Sequence, residues 1–190
     1  MSPADRLVHA VSGSLGASLV AIDTAAQPVT VDVAPDRWVD ALAAARDAGA
    51  AFFDLLSAYD LGDATFAVVC HVSTPDAAEH LLLRTSVGGA VPALASATSV
   101  YAGASWHERE THEMFGIDFV GHPHLVPLLL SPSAPVHPLR KDSVLVARAA
   151  RPWPGEKDPS DSGGRTRRRR TLPPGVPEAW PASDTDLGTP

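Results

Sequence analysis

The first half of the chain contains short apolar runs separated by turn residues. Residues 18–23 and 28–34 form two such runs around a turn near residues 25–28, and the valines at positions 29, 31 and 33 alternate with other residues. Alternation with a period of two is typical of a half-buried strand. The pattern therefore predicts two strands paired as a β-hairpin.

The next segment has the features of a helix. Pro35 and Asp36 lie at its start, alanine is frequent in its middle, and Gly49 follows its end. Proline fits the first turn of a helix and glycine its far end. The sequence predicts a helix over residues 36–48.

Three further apolar runs occupy residues 51–60, 64–73 and 79–87, with turn residues between them. Strands joined by such short turns pair as an antiparallel meander, and a helix covers one face of it. We expect the α+β class, with an antiparallel or mixed sheet, helices packed on one face and an extended C-terminal tail.

Composition changes near residue 150. From there to residue 190, proline, glycine, serine and charged residues dominate, and apolar residues are sparse. Such a segment cannot build a core. We expect one α+β domain over residues 1–148 and an extended or disordered tail over residues 149–190. Trp153 and Trp180 suit binding along a partner's surface, although a solvated tail with incidental tryptophans is an equal alternative.

Charge and cysteine content exclude several functions. The net charge is −7, and residues 1–150 carry 8 basic against 16 acidic residues. An acidic body argues against nucleic acid as the main ligand. The single cysteine, Cys70, cannot form an intramolecular disulfide. The apolar runs are too short to cross a bilayer, and residues 1–16 do not have the pattern of a signal peptide, so we expect a cytoplasmic protein without a membrane span.

The stretch WHERETHEMFGIDFVGHPHL, residues 106–125, resembles a zinc peptidase helix at first sight. His107 and His112 are five residues apart, which places them about 140° apart around a helix and prevents them from sharing a zinc ion. His122 and His124 could chelate a metal only with further ligands from elsewhere. We therefore expect no metal site.

Carboxylates in the same stretch allow two further interpretations. Glu110 and Glu113 lie three residues apart with Arg109 beside them. They fit a salt-bridged polar helix better than an acid and base pair, because no pocket is evident. A helix here would end at Gly116, with both glutamates on one side and Met114 and Phe115 near the core. The Gly-His-Pro segment would then continue as an extended arm.

Together with HPLRKD at residues 137–142, this stretch resembles the 30 kDa subunit family of respiratory complex I, whose members are also known as its C subunits. His107 stands where an aromatic residue is usual, and Val126 and Pro127 replace basic residues, so the member is somewhat divergent. The PWPG sequence of the tail suggests an actinobacterial source. The residues that match the family pattern at contacts between subunits are Trp106, Glu108, Arg109, Glu110, Glu113, Gly116, His122, Pro123, Arg140, Lys141 and Asp142.

The resemblance implies a structural subunit of an NADH:quinone oxidoreductase, a proton-translocating enzyme, without catalytic residues of its own. Members of this family bind no cofactor; NADH or another donor, flavin, iron–sulfur clusters and quinone act in other subunits. The implied partners in this hetero-oligomer are subunits D, B and, as a further candidate, I. The implied location is peripheral, on the cytoplasmic side of the cell membrane. Arg109 and Arg140 would each hold a carboxylate in a two-pronged pair.

Other functions stay open at this point. Membrane-bound nickel–iron hydrogenases and related dehydrogenases contain an equivalent subunit. The five arginines within residues 165–170 could contact nucleic acid, but anionic lipid or an acidic neighbouring subunit fits better beside an acidic body. A zinc or carboxylate hydrolase is disfavoured by the ligand spacing. The electron donor, the quinone and the completeness of the complex are not decided by the sequence.

Overall fold

The computed structural model describes residues 3–131 and 137–143, so the predicted tail and the domain boundary at residue 148 lie outside the described residues. Three short 3-10 turns accompany the regular elements. In chain order, these elements are α1 (Pro3–Leu15), β1 (Leu19–Asp23), β2 (Thr30–Val33), α2 (Trp38–Asp47), β3 (Phe52–Gly62), β4 (Thr65–Ser73), β5 (His80–Gly88), β6 (Ala93–Ala95), α3 (Ala104–Phe115) and β7 (Asp118–Val120).

Five strands form the main sheet in the order β1-β2-β5-β4-β3. Strands β1 and β2 pair antiparallel, and so do β3, β4 and β5 in sequence, which confirms the predicted hairpin and meander. Strands β2 and β5 pair parallel, so the sheet is mixed. A separate parallel pair is formed by β6 and β7. The predicted α+β class is confirmed.

One face of the main sheet carries the core. Alternate residues of β4 and β5, such as Cys70, Leu81 and Leu83, are fully buried, as the period of a strand requires. Trp38 and Leu42 of α2 belong to the same hydrophobic cluster. The predicted helix over 36–48 is therefore confirmed, with residues 35–37 forming a 3-10 turn before it.

Helix α1 was not predicted. Its residues Leu7, Val11 and Leu15 are buried and lie four residues apart, so they form one apolar stripe that packs into the core. The stripe is narrow, and serine, glycine and histidine separate its members in the sequence. Packing against α2 and the sheet, rather than helix propensity, accounts for this element.

The opposite face of the main sheet is more open. Leu55 and Tyr59 project from β3 on this side, and each is 41 % exposed. A groove of 540 Å³ crosses the face, and its lining includes Asp32, Tyr59 and Arg84. We call this surface the open sheet face. Within residues 3–131 and 137–143, no helix is long and apolar enough to cross a membrane.

Candidate interface with partner subunits

Helix α3 spans the first part of the motif that the sequence analysis singled out. It ends at Gly116, whose φ of 71° is left-handed and whose N–H donates to the His112 carbonyl at 2.7 Å. Glycine adopts this conformation without a Cβ penalty. Phe115 is buried and Met114 packs against the core, as the sequence predicted. The helix and its end are therefore confirmed.

Glu108 lies in the interior of the molecule and is fully buried. Its carboxylate accepts hydrogen bonds from the Ser96 hydroxyl and the Ala97 backbone N–H, both at 2.6 Å. Burial raises the pKa of Glu108, against the lowering effect of those two hydrogen bonds. Glu108 thus ties α3 to the 3-10 turn at Ala97–Ser99 and is not available to a partner.

Glu113 anchors the loop that follows β7. Its two carboxylate oxygens accept the backbone N–H groups of Leu128, Leu129 and Leu130 at 3.3, 2.8 and 2.9 Å. Desolvation opposes ionisation of Glu113, but these three donors and the charge of Arg109 outweigh it and lower its pKa. The charged form of Glu113 therefore holds the loop.

Arg109 binds the same loop one turn further back along α3. Its Nε and Nη2 donate to the carbonyls of Val126 and Pro127, each at 2.8 Å. The sequence analysis expected a two-pronged pair with a carboxylate, and the structure corrects this expectation. The fork of Arg109 is occupied by two backbone carbonyls of its own chain. Pro123 and Pro127 do lie in a segment without regular structure, but Arg109 and Glu113 hold it against the helix.

The second block of the motif closes the C-terminal end of α3. Helices leave their last four carbonyls without partners inside the helix. Here the Glu113 carbonyl accepts from His137 Nδ1 at 3.0 Å, the Met114 carbonyl from the Leu139 N–H at 3.2 Å, and the Phe115 carbonyl from Arg140 Nε at 2.6 Å. With the His112 carbonyl bound by Gly116, all four acceptors are satisfied. Segment 137–140 is a cap for α3.

Arg140 also lies over the Phe66 ring, with its guanidinium carbon 5.2 Å from the ring centroid. Among the described residues, Arg140 forms no ion pair with a carboxylate. In place of the predicted two-pronged pair, it has a hydrogen bond to the Phe115 carbonyl and a cation–π contact with Phe66. The next residue, Lys141, donates its N–H to Asp60 at 2.8 Å, which lowers the pKa of Asp60. Segment 137–143 therefore joins α3 to β3.

Histidines of the motif also bind backbone groups. His107 Nδ1 lies 3.2 Å from the Leu56 carbonyl, and His112 Nδ1 lies 2.8 Å from the Ile117 carbonyl. His122 uses both ring nitrogens, Nε2 toward Ser105 and Nδ1 for the N–H of His124. In the part of the chain that the structure describes, no group of three or more metal-ligating side chains comes together.

The remaining motif residues point outward. Trp106 is 68 % exposed although it lies on a helix that is held by Glu108 and by the C-terminal cap. Large apolar side chains are also exposed on the segments tied to α3, at Leu129 and Leu139. The other predicted contact residues with exposed side chains are Glu110, Pro123, Lys141 and Asp142. Glu110 and Glu113 therefore do not share one environment, because only Glu113 is covered by the loop.

Sequence reasoning missed several residues of this arrangement. Ser96 and His137 complete the contacts of α3, yet Ser96 lies 12 positions from Glu108 in the sequence and His137 lies 24 positions from Glu113. The backbone donors at residues 128–130 carry no side-chain signal at all. His137 does stand directly before the matched Pro-Leu-Arg-Lys-Asp block, and that adjacency is the only sequence signal for its role.

Comparison with known families identifies the fold and motif together. A profile described as "Respiratory-chain NADH dehydrogenase, 30 Kd subunit" matches residues 31–149, which include the main sheet from Val31 of β2 onward, α3 and its cap. The chain belongs to this family. The profile match supports the resemblance found in residues 106–142, whereas an actinobacterial source is not shown by it.

Curated relatives agree with this assignment to the 30 kDa subunit family. The C/D subunit of NADH-quinone oxidoreductase from Yersinia pestis (strain Pestoides F) is 40 % identical over 82 residues, and that from Enterobacter sp. (strain 638) is 40 % identical over 84 residues. These matches cover 43 % and 44 % of the chain but only 14 % of each relative. The chain thus resembles a small part of each of these longer proteins.

Two solved structures have the same fold. The trypsin-resistant fragment (1-134) of Nqo5 is 26 % identical, with a TM-score of 0.54, and the match covers 63 % of this chain and 99 % of the fragment. A chain of the membrane-bound sulfane sulfur reductase, an archaeal respiratory membrane complex, has a TM-score of 0.64 at 18 % identity, covering 75 % of this chain and 86 % of that one. At that identity the second likeness concerns the fold alone.

Proposed function

We propose that this chain is a structural subunit of the peripheral arm of a proton-translocating NADH:quinone oxidoreductase. In this role it packs on subunits D and B near the quinone site, on the cytoplasmic side of the membrane, and binds no redox cofactor itself. Membership of the 30 kDa subunit family supports the proposal. The observation that carries it is the exposed Trp106 on a helix whose Glu108, Arg109 and Glu113 side chains are bound within the chain.

A rigid platform with an exposed aromatic residue suits a contact between subunits. Tryptophan is enriched among the residues that dominate binding energy, and a helix that is already held in place needs little further ordering of its backbone when a partner covers it. Glu108, Glu113 and Arg140 hold α3 in place from inside the chain. In the proposed complex, these residues act by positioning Trp106, and they do not contact subunits D and B directly.

The test is co-purification of the full chain with subunits B and D from membranes. We expect Trp106→Ala to lower their recovery at least tenfold, the effect of losing about 1.4 kcal/mol or more. Val91→Ala is the matched control, because Val91 is 76 % exposed and lies outside α3 and its cap. Equal recovery for both variants would show that Trp106 is not at the contact. NADH oxidation or quinone reduction by the purified chain alone would contradict a purely structural role.

A second candidate keeps the fold and changes the complex. It is an equivalent subunit in a complex I-like dehydrogenase or a membrane-bound nickel–iron hydrogenase, and the fold shared with a chain of an archaeal respiratory membrane complex is compatible with it. The same purification separates the two. Recovery of a hydrogenase-type large subunit with nickel in place of subunits B and D would support the second candidate.

A further inference from the structure

A second group of histidines lies on the open sheet face, away from α3. His71 is on β4 and His80 is on β5, and the register pairs residue 71 with 82 and residue 73 with 80. The two imidazoles are therefore diagonal neighbours on the same face. Their rings are almost parallel, with His71 Nε2 3.2 Å from His80 Nδ1.

Each ring has an acceptor at its outer nitrogen. Asp54 Oδ2 lies 2.8 Å from His71 Nδ1, and the Ala77 carbonyl lies 3.0 Å from His80 Nε2. Strand β3 has a β-bulge between Phe53 and Leu55, so two of its residues lie opposite His71 of β4. Asp54 is the additional residue of this bulge. A carbonyl or carboxylate only accepts hydrogen bonds, so both outer nitrogens carry hydrogens.

The hydrogens on the outer nitrogens determine the state of the two inner nitrogens, His71 Nε2 and His80 Nδ1. In neutral imidazole, the nitrogen opposite the N–H has a lone pair. When both rings are neutral, two lone pairs therefore face each other across 3.2 Å and repel unless a cation comes between them. Either one proton shared by the two nitrogens or one metal ion bound to both removes this repulsion. Two nitrogens on a tetrahedral zinc ion are about 3.3 Å apart, because each Zn–N bond is about 2.0–2.1 Å.

We propose that His71 and His80 bind a divalent transition-metal ion such as Zn²⁺ through Nε2 and Nδ1, with water in the other positions. Histidines that bind metals usually donate the second ring N–H to a carboxylate or backbone carbonyl, and here both partners are in place before any metal arrives. His80 is exposed and the side chain of His71 is 17 % exposed, so solvent reaches the pair.

This pair differs from the histidines of the motif. His122 and His124 cannot chelate in the observed conformation, because both ring nitrogens of His122 are used within the chain. The absence of a third protein ligand among residues 3–131 and 137–143 means that water or an added ligand completes the coordination. Imidazole ligands favour Zn²⁺, Cu²⁺ and Ni²⁺ over Mg²⁺ and Ca²⁺, and the site should show this selectivity.

Titration of the metal-free full chain with ZnSO₄, followed by calorimetry and by imidazole ¹⁵N shifts, tests the proposal. We expect one zinc ion per chain, with shifts at His71 Nε2 and His80 Nδ1. His80→Gln should lower the affinity at least tenfold, and Asp54→Asn should lower it about 10–100-fold, since it replaces the carboxylate that accepts from His71 Nδ1 with a neutral amide. His124→Gln, which removes an exposed histidine elsewhere, should change the affinity less than twofold.

Thermal unfolding of each variant checks that the variant is folded. Because His80→Gln changes only an exposed side chain, this variant still tests the proposal if Asp54→Asn is unstable. Absence of zinc binding, with ring shifts that follow pH alone, would show that the pair holds a proton only and would overturn the proposal. So would equal affinity in the His80→Gln and His124→Gln variants. Neither result bears on assembly with subunits B and D, so failure here leaves the proposed function intact.

Discussion

The C-terminal end of α3 and the open sheet face both collect histidines and carboxylates, yet the partners of these groups differ. At the end of α3, Glu113, His137 and Arg140 bind backbone N–H and carbonyl groups. On the open sheet face, His71 binds Asp54 and His80, and the other ring nitrogen of His80 binds the Ala77 carbonyl. Backbone groups at a helix end or in a loop need fixed partners, so the first set is structural. The inner ring nitrogens of His71 and His80 contact only each other, so they can exchange that contact for a ligand.

The largest effect on stability is expected at Glu113, which belongs to the structural set at the end of α3. Glu113→Ala removes the acceptor for three backbone N–H groups, and we expect a loss of about 2–4 kcal/mol in the free energy of unfolding. Glu110→Ala is the control on the same helix, and its exposed side chain should give a change within about 0.5 kcal/mol. Urea denaturation of both variants measures the difference. Equal stability would mean that the loop does not depend on Glu113.

Gly116 provides the second test. A Cβ at this position would lie 2.5 Å from Arg140 Nη2 and 2.6 Å from His137 Nε2, in addition to the strain of a left-handed φ. We expect Gly116→Ala to cost about 2–3 kcal/mol. Gly121→Ala has a φ of 87° but no atom within 4 Å of the new Cβ, so it should cost only about 1 kcal/mol. If both variants lose the same stability, the cap does not pack against Gly116 as described.

The pH dependence of stability distinguishes the two buried glutamates of α3. Burial raises the pKa of Glu108, so the folded state binds more protons than the unfolded state above the unfolded pKa, and stability falls as pH rises through the folded pKa. Glu113 has a lowered pKa, so its contribution is present above the unfolded pKa and is lost as pH falls through the folded pKa.

We therefore expect opposite slopes in two difference curves. Glu108→Gln should gain stability relative to the unmodified chain as pH rises above 4.5, the ordinary value for glutamate. Glu113→Gln should be less stable at neutral pH, and this deficit should shrink in acid. Chemical denaturation between about pH 3 and pH 8 measures both. Parallel curves for the two variants would contradict the different environments assigned to these residues.

The smallest effect on stability is expected from the tail. If residues 149–190 bind along a neighbouring subunit, their deletion should leave the unfolding temperature of the isolated chain unchanged and still lower the yield of assembled complex. Blue-native electrophoresis of membranes measures the yield, and calorimetry of the isolated chain measures the temperature. An unchanged yield would mean that the tail has no role in assembly.

Local patterns predicted much of the fold. Strands β1 to β5, helix α2 and the end of α3 at Gly116 follow from period-two alternation, proline and glycine positions and turn residues. Helix α1 was not predicted because its three buried residues are spread among polar and small ones. The parallel pairing of β2 with β5 was also not predicted, since no local sequence pattern indicates which distant strand will be the neighbour.

The site was predicted less well than the fold. Trp106 was singled out in the motif and is exposed, and its contact with a partner remains a prediction. Glu108 was grouped with contact residues because it matches the family pattern, and nothing in the sequence indicates that Ser96 lies beside it. His71 and His80 went unnoticed because nine residues separate them, and only the strand register brings their rings together.

The cap of α3 has a consequence for the order in which the protein is made. Gly116 leaves the ribosome before Arg140, and the 24 residues between them take about 1–5 s to synthesise at 5–20 residues per second. During that interval the carbonyls of Glu113, Met114 and Phe115 have only water as a partner. The last turn of α3, and with it the platform below Trp106, becomes fixed only when segment 137–140 emerges. A nascent chain that stalls before that segment would therefore present an unfinished helix to its partner subunits.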